Sequence, residues 1–199
     1  MPRFIFALML MLALNLCCSS VDAQPQEQSQ AQVSTLEQIT NFVQYSPRFA
    51  SSGQPSTEQL KLLQKAGFQQ VVYLAFSDNE TAIANEDREV MTSGMDYVHI
   101  PVDFNRPTSV DFDAFAAVLK SHPGSKTLVH CQVNFRASTF SFLYRVIYQG
   151  VPVGTAKQDL DRVWQPNETW YRFLVKVLAQ HGKSHLCNSC DWGEHEFLE

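Results

Sequence analysis

The chain has 199 residues, of which 45% are hydrophobic and 18% are charged, so it can form one hydrophobic core and does not have the composition of a disordered protein. Its formal net charge of -5 at pH 7 argues against nucleic acid as a partner, because proteins that bind the phosphate backbone need a basic surface. These values favour a single globular domain.

Residues 1–23 have the pattern of a secretory signal peptide. Arg3 is followed by an apolar run and then by small residues that end at Ala23, where cleavage is expected. The apolar run is shorter than the roughly 20 residues that a membrane-spanning helix needs, although an anchor helix is the alternative. A lipidated cysteine at Cys17 or Cys18 is a further alternative. We therefore expect a periplasmic or secreted protein with no stable membrane insertion after cleavage.

Residues 24–39 are polar and rich in glutamine, which predicts a linker, and residues 40–182 are predicted to form the domain. Strands are predicted at 48–53, 69–75, 97–102 and 126–131. Helices are predicted from Ser56 to about Gly67, over 85–94, from Thr108 through Leu119, from about Ala137 to Gly150, and over 153–164 and 167–181. This alternation predicts an α/β fold with a mainly parallel sheet of about four strands and helices on both faces.

In a sheet of this kind the functional site lies at the carboxyl ends of the strands. The loops that follow Ala75, Val102 and Cys131 should therefore meet at one edge. Cys131 ends the predicted strand in KTLVHCQVNFRAST, and a helix begins a few residues later. Loop amides and the helix N-terminus direct N–H groups and a positive field to one place, which favours a thiolate and binds an oxyanion.

Three side chains of this segment fit that chemistry. Arg136 has a planar guanidinium that can hold two oxyanion oxygens. Asn134 tolerates a left-handed backbone, and Ser138 is placed to donate a hydrogen bond to the sulfur of Cys131. The pattern predicts a thiolate that attacks an anionic tetrahedral group.

The segment VHCQVNFRAS resembles the active loop of cysteine-dependent protein tyrosine and dual-specificity phosphatases. With SGQPS, VVYLAFSDNE and VHIPVDF, it makes residues 40–181 similar to a bacterial protein-tyrosine-phosphatase-like group that is related to the phosphatase-like domain of beta-lactamase-hydrolase-like proteins. The resemblance implies a cysteine-phosphatase-like fold and hydrolysis of a phosphate monoester without a metal or other cofactor. It implies that Cys131 becomes a phosphocysteine, that Arg136 binds phosphate and that Asp103 protonates the leaving oxygen.

The same resemblance implies that the substrate is a phosphorylated small molecule or a phosphoprotein. Independently of the resemblance, we expect His130 to be a supporting, structural side chain that shapes the loop. The implied phosphate-binding loop comprises Gln132, Val133, Asn134, Phe135, Arg136 and Ser138. We expect Phe104, Phe135 and Gln132 at the rim of the pocket.

The loop departs from the phosphatase pattern in length. Four residues separate Cys131 from Arg136, where the usual pattern has five, and Asn134 replaces the usual mid-loop glycine. A four-residue gap is similar to that of rhodanese-like sulfurtransferases, whose cysteine carries a persulfide, and a narrower cradle suits one sulfur better than a phosphoryl group. The phosphatase function is favoured. A sulfurtransferase that uses a Cys131 persulfide and a non-catalytic anion-binding module are the alternatives.

Other carboxylates and the tail leave further alternatives. Asp103 could simply begin a turn, and Asp78 is a second candidate for the acid. Asp111 and Asp113 are better explained by helix capping and a solvated face, and Arg106 by a surface position.

In the tail, residues 183–199, Cys187 and Cys190 form a C-x-x-C pair near His185 and His195. This pattern is typical of a short disulfide or a zinc site, and it also occurs without a defined role.

Overall fold

In the computed structural model, which describes residues 36–193, a five-stranded sheet lies between two layers of helices. The strands are β1 (Val43–Ser46), β2 (Phe49–Ser52), β3 (Gln70–Tyr73), β4 (Asp96–His99) and β5 (Thr127–His130). Their order across the sheet is β1-β2-β5-β3-β4; β1 is antiparallel to β2, and all other neighbours are parallel. The predicted α/β class with a mainly parallel sheet is confirmed.

Four of these strands correspond to the four predicted ones, and β1 is an addition. Its four residues, VQYS, alternate between the inner and the outer face, and its register with β2 shifts between Gln44 and Ser46. Four residues give only two repeats of this alternation, which is too short a run for the sequence to indicate a strand.

Among residues 36–193, six helices cover the sheet, and they correspond to the six predicted helices. They are α1 (Thr57–Lys65), α2 (Glu86–Thr92), α3 (Ser109–Ser121), α4 (Phe135–Tyr148), α5 (Val153–Asp161) and α6 (Glu168–Gln180). Both α1 and α3 begin at capping boxes, in which Ser56 pairs with Gln59 and Thr108 pairs with Asp111. The expectation that Asp111 caps a helix is therefore confirmed.

Alternate residues of the central strands pack on opposite faces of the sheet. Val72 and Val129 contact the larger core cluster, which includes the aromatic side chains of α3, α4 and α6. Val71 and Leu128 contact a smaller cluster that includes residues of α1 and α2. Burial on both faces makes these strands continuous apolar runs, as expected for parallel strands between helical layers.

The folded part extends beyond both predicted domain boundaries. Leu36 and Ile39, which lie in the segment predicted as linker, are 3% and 2% exposed and pack in the smaller cluster. Trp192, in the predicted tail, is 3% exposed and contacts Phe142 and Tyr171. Although the neighbouring sequence is polar in both segments, these apolar side chains pack on the core and hold the segments there.

Within residues 36–193, no helix is long and apolar enough to cross a membrane. The signal peptide predicted for residues 1–23 lies outside the described residues. It stays a prediction, as does a periplasmic or secreted location.

Candidate active site

Cys131 lies at the carboxyl end of β5, the central strand of the sheet. It is 1% exposed and is not in a disulfide, and its backbone N–H donates to Ser52 O at 3.3 Å. A cavity of about 260 Å³ opens beside it. The cavity is lined by Glu80, Thr81, Phe104, Cys131, Gln132, Val133, Phe135 and Arg136. The loops after β3, β4 and β5 thus meet at one edge of the sheet.

Groups outside the 131–136 loop hold its carbonyls. Gln132 O accepts from the Gln54 backbone N–H at 2.9 Å, and Val133 O accepts from Asn41 Nδ2 at 2.9 Å. In return, Asn134 Nδ2 donates to Asn41 O at 2.6 Å. Asn134 is fully buried and has a φ of 75°, the left-handed conformation that the sequence predicted it would tolerate.

Several backbone N–H groups at the start of α4 are free to bind a ligand. Within residues 36–193, no backbone acceptor pairs with the N–H groups of Gln132, Val133, Phe135 or Arg136. A helix always leaves its first N–H groups without intrahelical partners. Together with the positive end of the 14-residue helix α4, they can receive an anion above the Cys131 sulfur.

Arg136 lines the same cavity, and its guanidinium is hydrogen-bonded to a side chain of the loop. Gln132 Oε1 lies 2.9 Å from Arg136 Nη2 and 3.4 Å from Nη1, and Nε donates to Val102 O at 3.4 Å. Arg136 is 5% exposed, and its guanidinium carbon lies 5.4 Å from the centre of the Phe104 ring. An incoming anion therefore competes with the Gln132 side chain for the guanidinium of Arg136.

Ser138 does not contact the sulfur. Its hydroxyl donates to Phe135 O at 3.2 Å, because a serine in the first turn of a helix reaches the carbonyl three residues before it. Its predicted bond to the sulfur is therefore absent from this arrangement.

An aromatic wall, made of Phe104, Phe135, Trp164 and Trp170, supports one side of the cavity. Phe135 stacks on Trp164 with ring centres 4.4 Å apart and planes at 2°. Trp170 Nε1 donates to Phe104 O at 2.9 Å and holds the loop after β4. The sequence indicated Phe104 and Phe135 at the rim but not the tryptophans, which come from the segment between α5 and α6 and from α6 itself.

Asp103 does not line the cavity. Its carboxylate accepts from the Asn105 backbone N–H at 2.9 Å and from Arg106 Nε at 3.1 Å. These contacts, led by the bond from Asn105, hold the pKa of Asp103 below its usual value. Asp78 does not line the cavity either, whereas Glu80 does. The roles predicted for Asp103 and Asp78 stay predictions.

His130 lies behind the nucleophile and contacts a residue that the sequence did not indicate. Its Nε2 is 3.2 Å from Glu86 Oε1 without a hydrogen bond between them, and that oxygen accepts from Gln54 Nε2 at 2.6 Å. Burial lowers the pKa of His130 to about 3 and raises the pKa of Glu86 to about 7. The sequence did not indicate Glu86, because an acidic residue in the first turn of a helix usually faces solvent.

The tail cysteines form a disulfide between Cys187 and Cys190. Within residues 36–193, no group of three or more histidine, cysteine, aspartate or glutamate side chains is arranged to hold a metal ion. His185 Nε2 is hydrogen-bonded to Tyr171 OH at 3.1 Å, and His195 lies outside the described residues.

Comparison with known families decides the class of the protein. The model of a family described as a DSP-PTPase phosphatase fused to NAD+ kinase matches residues 25–168. The chain belongs to this family. As a member of this DSP-PTPase-like family, it has the strand–cysteine–loop–arginine–helix arrangement described above. No curated protein sequence matches the chain.

Solved structures agree with the DSP-PTPase assignment. A protein from Shewanella putrefaciens CN-32, named "Putative phosphatase (DUF442)", is 34% identical with a TM-score of 0.70, and the match covers 75% of this chain and 98% of that chain. Tk-PTP is 20% identical with a TM-score of 0.57, over 71% of this chain and 95% of that one. TpbA of P. aeruginosa is 17% identical with a TM-score of 0.58, over 71% and 89%. The last two share the fold.

Proposed function

We propose that this phosphatase-family protein hydrolyses a phosphate monoester through a phosphocysteine on Cys131. The observation that supports this most is that Cys131, Arg136 and the start of α4, with its free N–H groups, line one cavity. These groups stabilise the equatorial oxygens of a transferring phosphoryl group while the sulfur attacks in line.

The reaction has two balanced steps. In the first, the Cys131 thiolate forms a sulfur–phosphorus bond, the phosphorus–oxygen bond to the leaving group breaks, and the leaving oxygen takes a proton from a carboxyl group. In the second, water attacks the phosphocysteine, the same carboxylate takes the proton, and phosphate leaves with the thiolate restored. The protein needs neither an oxidant nor a cofactor for these steps.

For the proton donor, the cavity favours Glu80 over Asp103. Glu80 lines the cavity, whereas Asp103 does not, and the carboxylate of Asp103 accepts from Asn105 and Arg106, contacts that lower its pKa. A loop movement on substrate binding would be needed to make Asp103 the donor. We therefore assign the role to Glu80 and keep Asp103 as the competing assignment.

For the substrate, we propose an aryl phosphate, with phosphotyrosine as the natural example. The aromatic wall places the Phe104 and Phe135 rings beside the cavity, where a phenyl leaving group can stack. TpbA, which has the same fold, has been crystallised with pTyr. A phosphorylated small molecule with an aromatic leaving group would fit the same wall.

The four-residue gap between Cys131 and Arg136 favours a second function, sulfur transfer. In that reaction the thiolate attacks the outer sulfur of thiosulfate, sulfite leaves, and a persulfide forms on Cys131. A thiophile such as cyanide then removes the outer sulfur as thiocyanate. This chemistry has no leaving oxygen to protonate, so it does not use Glu80 or Asp103 as an acid.

One experiment separates these functions. The purified protein is assayed with nitrophenyl phosphate and, in parallel, with thiosulfate plus cyanide. Cys131→Ser and a Cys187→Ser/Cys190→Ser control, whose disulfide does not line the cavity, are assayed beside it. We expect phosphate release by the wild type and the control, and none by Cys131→Ser, because a serine hydroxyl is a poor nucleophile here. Thiocyanate formation without phosphate release would replace the phosphatase assignment with sulfur transfer. If neither substrate reacts but phosphate protects Cys131 from alkylation, the loop is an anion-binding module.

A further inference from the structure

Two asparagines with left-handed backbones contact each other at the candidate active loop. Among residues 36–193, three residues other than glycine have a positive φ, namely Asn41 at 50°, Asn85 at 56° and Asn134 at 75°. A side chain makes this conformation unfavourable, so it persists only where the surrounding structure imposes it, often at functional sites. Asn41 and Asn134 are hydrogen-bonded to each other, and the strain is therefore concentrated at the loop that follows Cys131.

The contact between the two asparagines is reciprocal. Asn134 Nδ2 donates to Asn41 O at 2.6 Å, and Asn41 Nδ2 donates to Val133 O at 2.9 Å. Each side chain therefore bonds the main chain of the other segment, although the two asparagines lie 93 positions apart in the sequence. Asn41 thus holds Val133 directly and Asn134 through its side chain, on the two sides of one peptide group.

Asn41 is anchored by the segment that precedes it. Leu36 and Ile39 are buried in the smaller core cluster. Thr40 O accepts from the Gly53 backbone N–H at 2.7 Å, which ties the segment to the residue after β2. Asn41 is itself exposed to solvent, but its amide is presented to the loop from a fixed position.

The peptide group between Val133 and Asn134 is the place where the loop can relax. Rotation of this group by about half a turn changes ψ of Val133 and φ of Asn134, and it returns φ of Asn134 to the negative values that residues with side chains prefer. A trans peptide has its C=O and N–H on opposite sides, so the same rotation moves Val133 O away from Asn41 and exchanges the two groups. A carbonyl oxygen turned in among N–H groups that bind an anion repels that anion.

The Asn134 side chain gives a second reason for the loop to rearrange. Asn134 is fully buried, and within residues 36–193 its Oδ1 has no hydrogen-bond partner. A buried acceptor without a partner is unfavourable, as is the left-handed backbone. The two hydrogen bonds with Asn41 oppose both tendencies.

We propose that Asn41 is a positioning residue for the candidate active site, although it belongs neither to the 131–136 loop nor to the lining of the cavity. Its amide holds Val133 O, which keeps Asn134 left-handed and the free N–H groups at the start of α4 directed at one place. The loop can then receive an oxyanion without first rearranging. The inference rests on the proposed use of this loop to bind a phosphoryl group.

The first test replaces Asn41 with glycine, which adopts a positive φ without strain and keeps the main-chain oxygen but has no amide to donate. The dissociation constant of inorganic phosphate is measured in the full chain, from the protection of Cys131 against iodoacetamide. We expect this constant to rise by about threefold to tenfold in Asn41→Gly, in line with the loss of one hydrogen bond.

Asn85→Gly is the matched control for this substitution. Asn85 also has a positive φ, its side chain makes no capping hydrogen bond, and it does not line the cavity beside Cys131. We expect its phosphate dissociation constant to equal that of the wild type. An unchanged constant in Asn41→Gly, or an equal rise in Asn85→Gly, overturns the proposal.

The second test measures whether Asn41 acts by holding Asn134 left-handed. In an Asn134→Gly background the positive φ is not strained, so the loop has less tendency to rearrange and depends less on Asn41. We expect Asn41→Gly to raise the phosphate dissociation constant by less than about twofold in this background. The same factor in both backgrounds, which a purely structural loss would give, contradicts the proposal.

The two tests also separate the role of Asn41 from the proposed function. If Asn41→Gly weakens phosphate binding as expected but the wild type hydrolyses no phosphate ester, the proposed function fails while the role of Asn41 stands. If esters are hydrolysed and Asn41→Gly binds phosphate as the wild type does, the proposed function stands and the role of Asn41 fails. If phosphate does not protect Cys131 in the wild type and no ester is hydrolysed, both fail.

Discussion

The two sides of the cavity are held in very different ways. The 131–136 loop is tied to distant parts of the chain, since Gln132 O and Val133 O accept from Gln54 and Asn41, and Asn134 is fully buried. The side that carries the carboxyl groups is held by local contacts. Glu80 is exposed, and among residues 36–193 the Asp103 carboxylate is hydrogen-bonded only to its near neighbours Asn105 and Arg106. The nucleophile side is therefore preorganised, and the proton-donating side can rearrange when a substrate binds.

The largest effect should come from the carboxyl side. We expect Glu80→Gln to slow the hydrolysis of phenyl phosphate by about a hundred- to ten-thousandfold, because a poor leaving oxygen needs a proton, and to slow nitrophenyl phosphate less. Asp103→Asn should have little effect with either substrate. The measurement is kcat for both esters with both variants.

The reverse result would change the assignment. A large loss in Asp103→Asn, with Glu80→Gln unaffected, would mean that the loop after β4 moves on substrate binding and that Asp103 leaves Arg106.

On the nucleophile side, Arg136→Lys keeps the charge but loses the planar fork. We expect kcat/KM to fall by about a hundredfold or more, in line with the loss of an oxyanion stabiliser. Arg106→Lys is the matched control, because that side chain is 86% exposed. A loss of less than about threefold in Arg136→Lys would show that its guanidinium does not touch the transferring group.

The rigidity of the loop itself can be tested at Gly53. A Cβ there would lie 2.8 Å from Gln132 O and 2.9 Å from Thr40 Cβ, so alanine pushes the loop from behind. We expect Gly53→Ala to lower stability by about 1–3 kcal/mol and activity by about tenfold. Gly124→Ala, where a Cβ meets nothing within 4 Å, is the control for both thermal unfolding and kcat/KM. Unchanged activity in a folded Gly53→Ala protein would show that the loop tolerates displacement.

The smallest effect is expected for Gln132, whose side chain is hydrogen-bonded to Arg136. Gln132→Ala removes the acceptor from Arg136, and we expect the KM for aryl phosphates to fall by about twofold to fivefold, since a bond to a charged group is exchanged for one to substrate. kcat should change little. A higher KM in the variant would mean that the Gln132 amide binds substrate itself.

The sequence was sufficient for the fold because periodicity and capping agree with the structure. The apolar runs at β3 and β5, the capping box of Ser56 and Gln59, and the alternation of elements all predict a parallel sheet. The edge strand β1 and the burial of Leu36, Ile39 and Trp192 depend on contacts between distant segments, which local patterns do not carry.

The site shows the same division. Cys131, Arg136 and the left-handed Asn134 belong to one short segment, so their proximity follows from the local backbone. The positions of Glu80, Glu86 and Trp164 do not, because each comes from a different loop or helix and is placed by tertiary packing.

The contact between Gln132 and Arg136 bears on how the protein meets its chemical surroundings. A tethered acceptor competes with free anions at an effective concentration on the order of millimolar or more. Inorganic phosphate is the product of the proposed reaction. Once its covalent bond to sulfur is broken, the Gln132 side chain competes with it for Arg136. The protein should then be only weakly inhibited by its own product. In a phosphate-rich medium the site of most molecules should stay empty, so it can bind an ester whose aromatic group adds contacts that inorganic phosphate lacks.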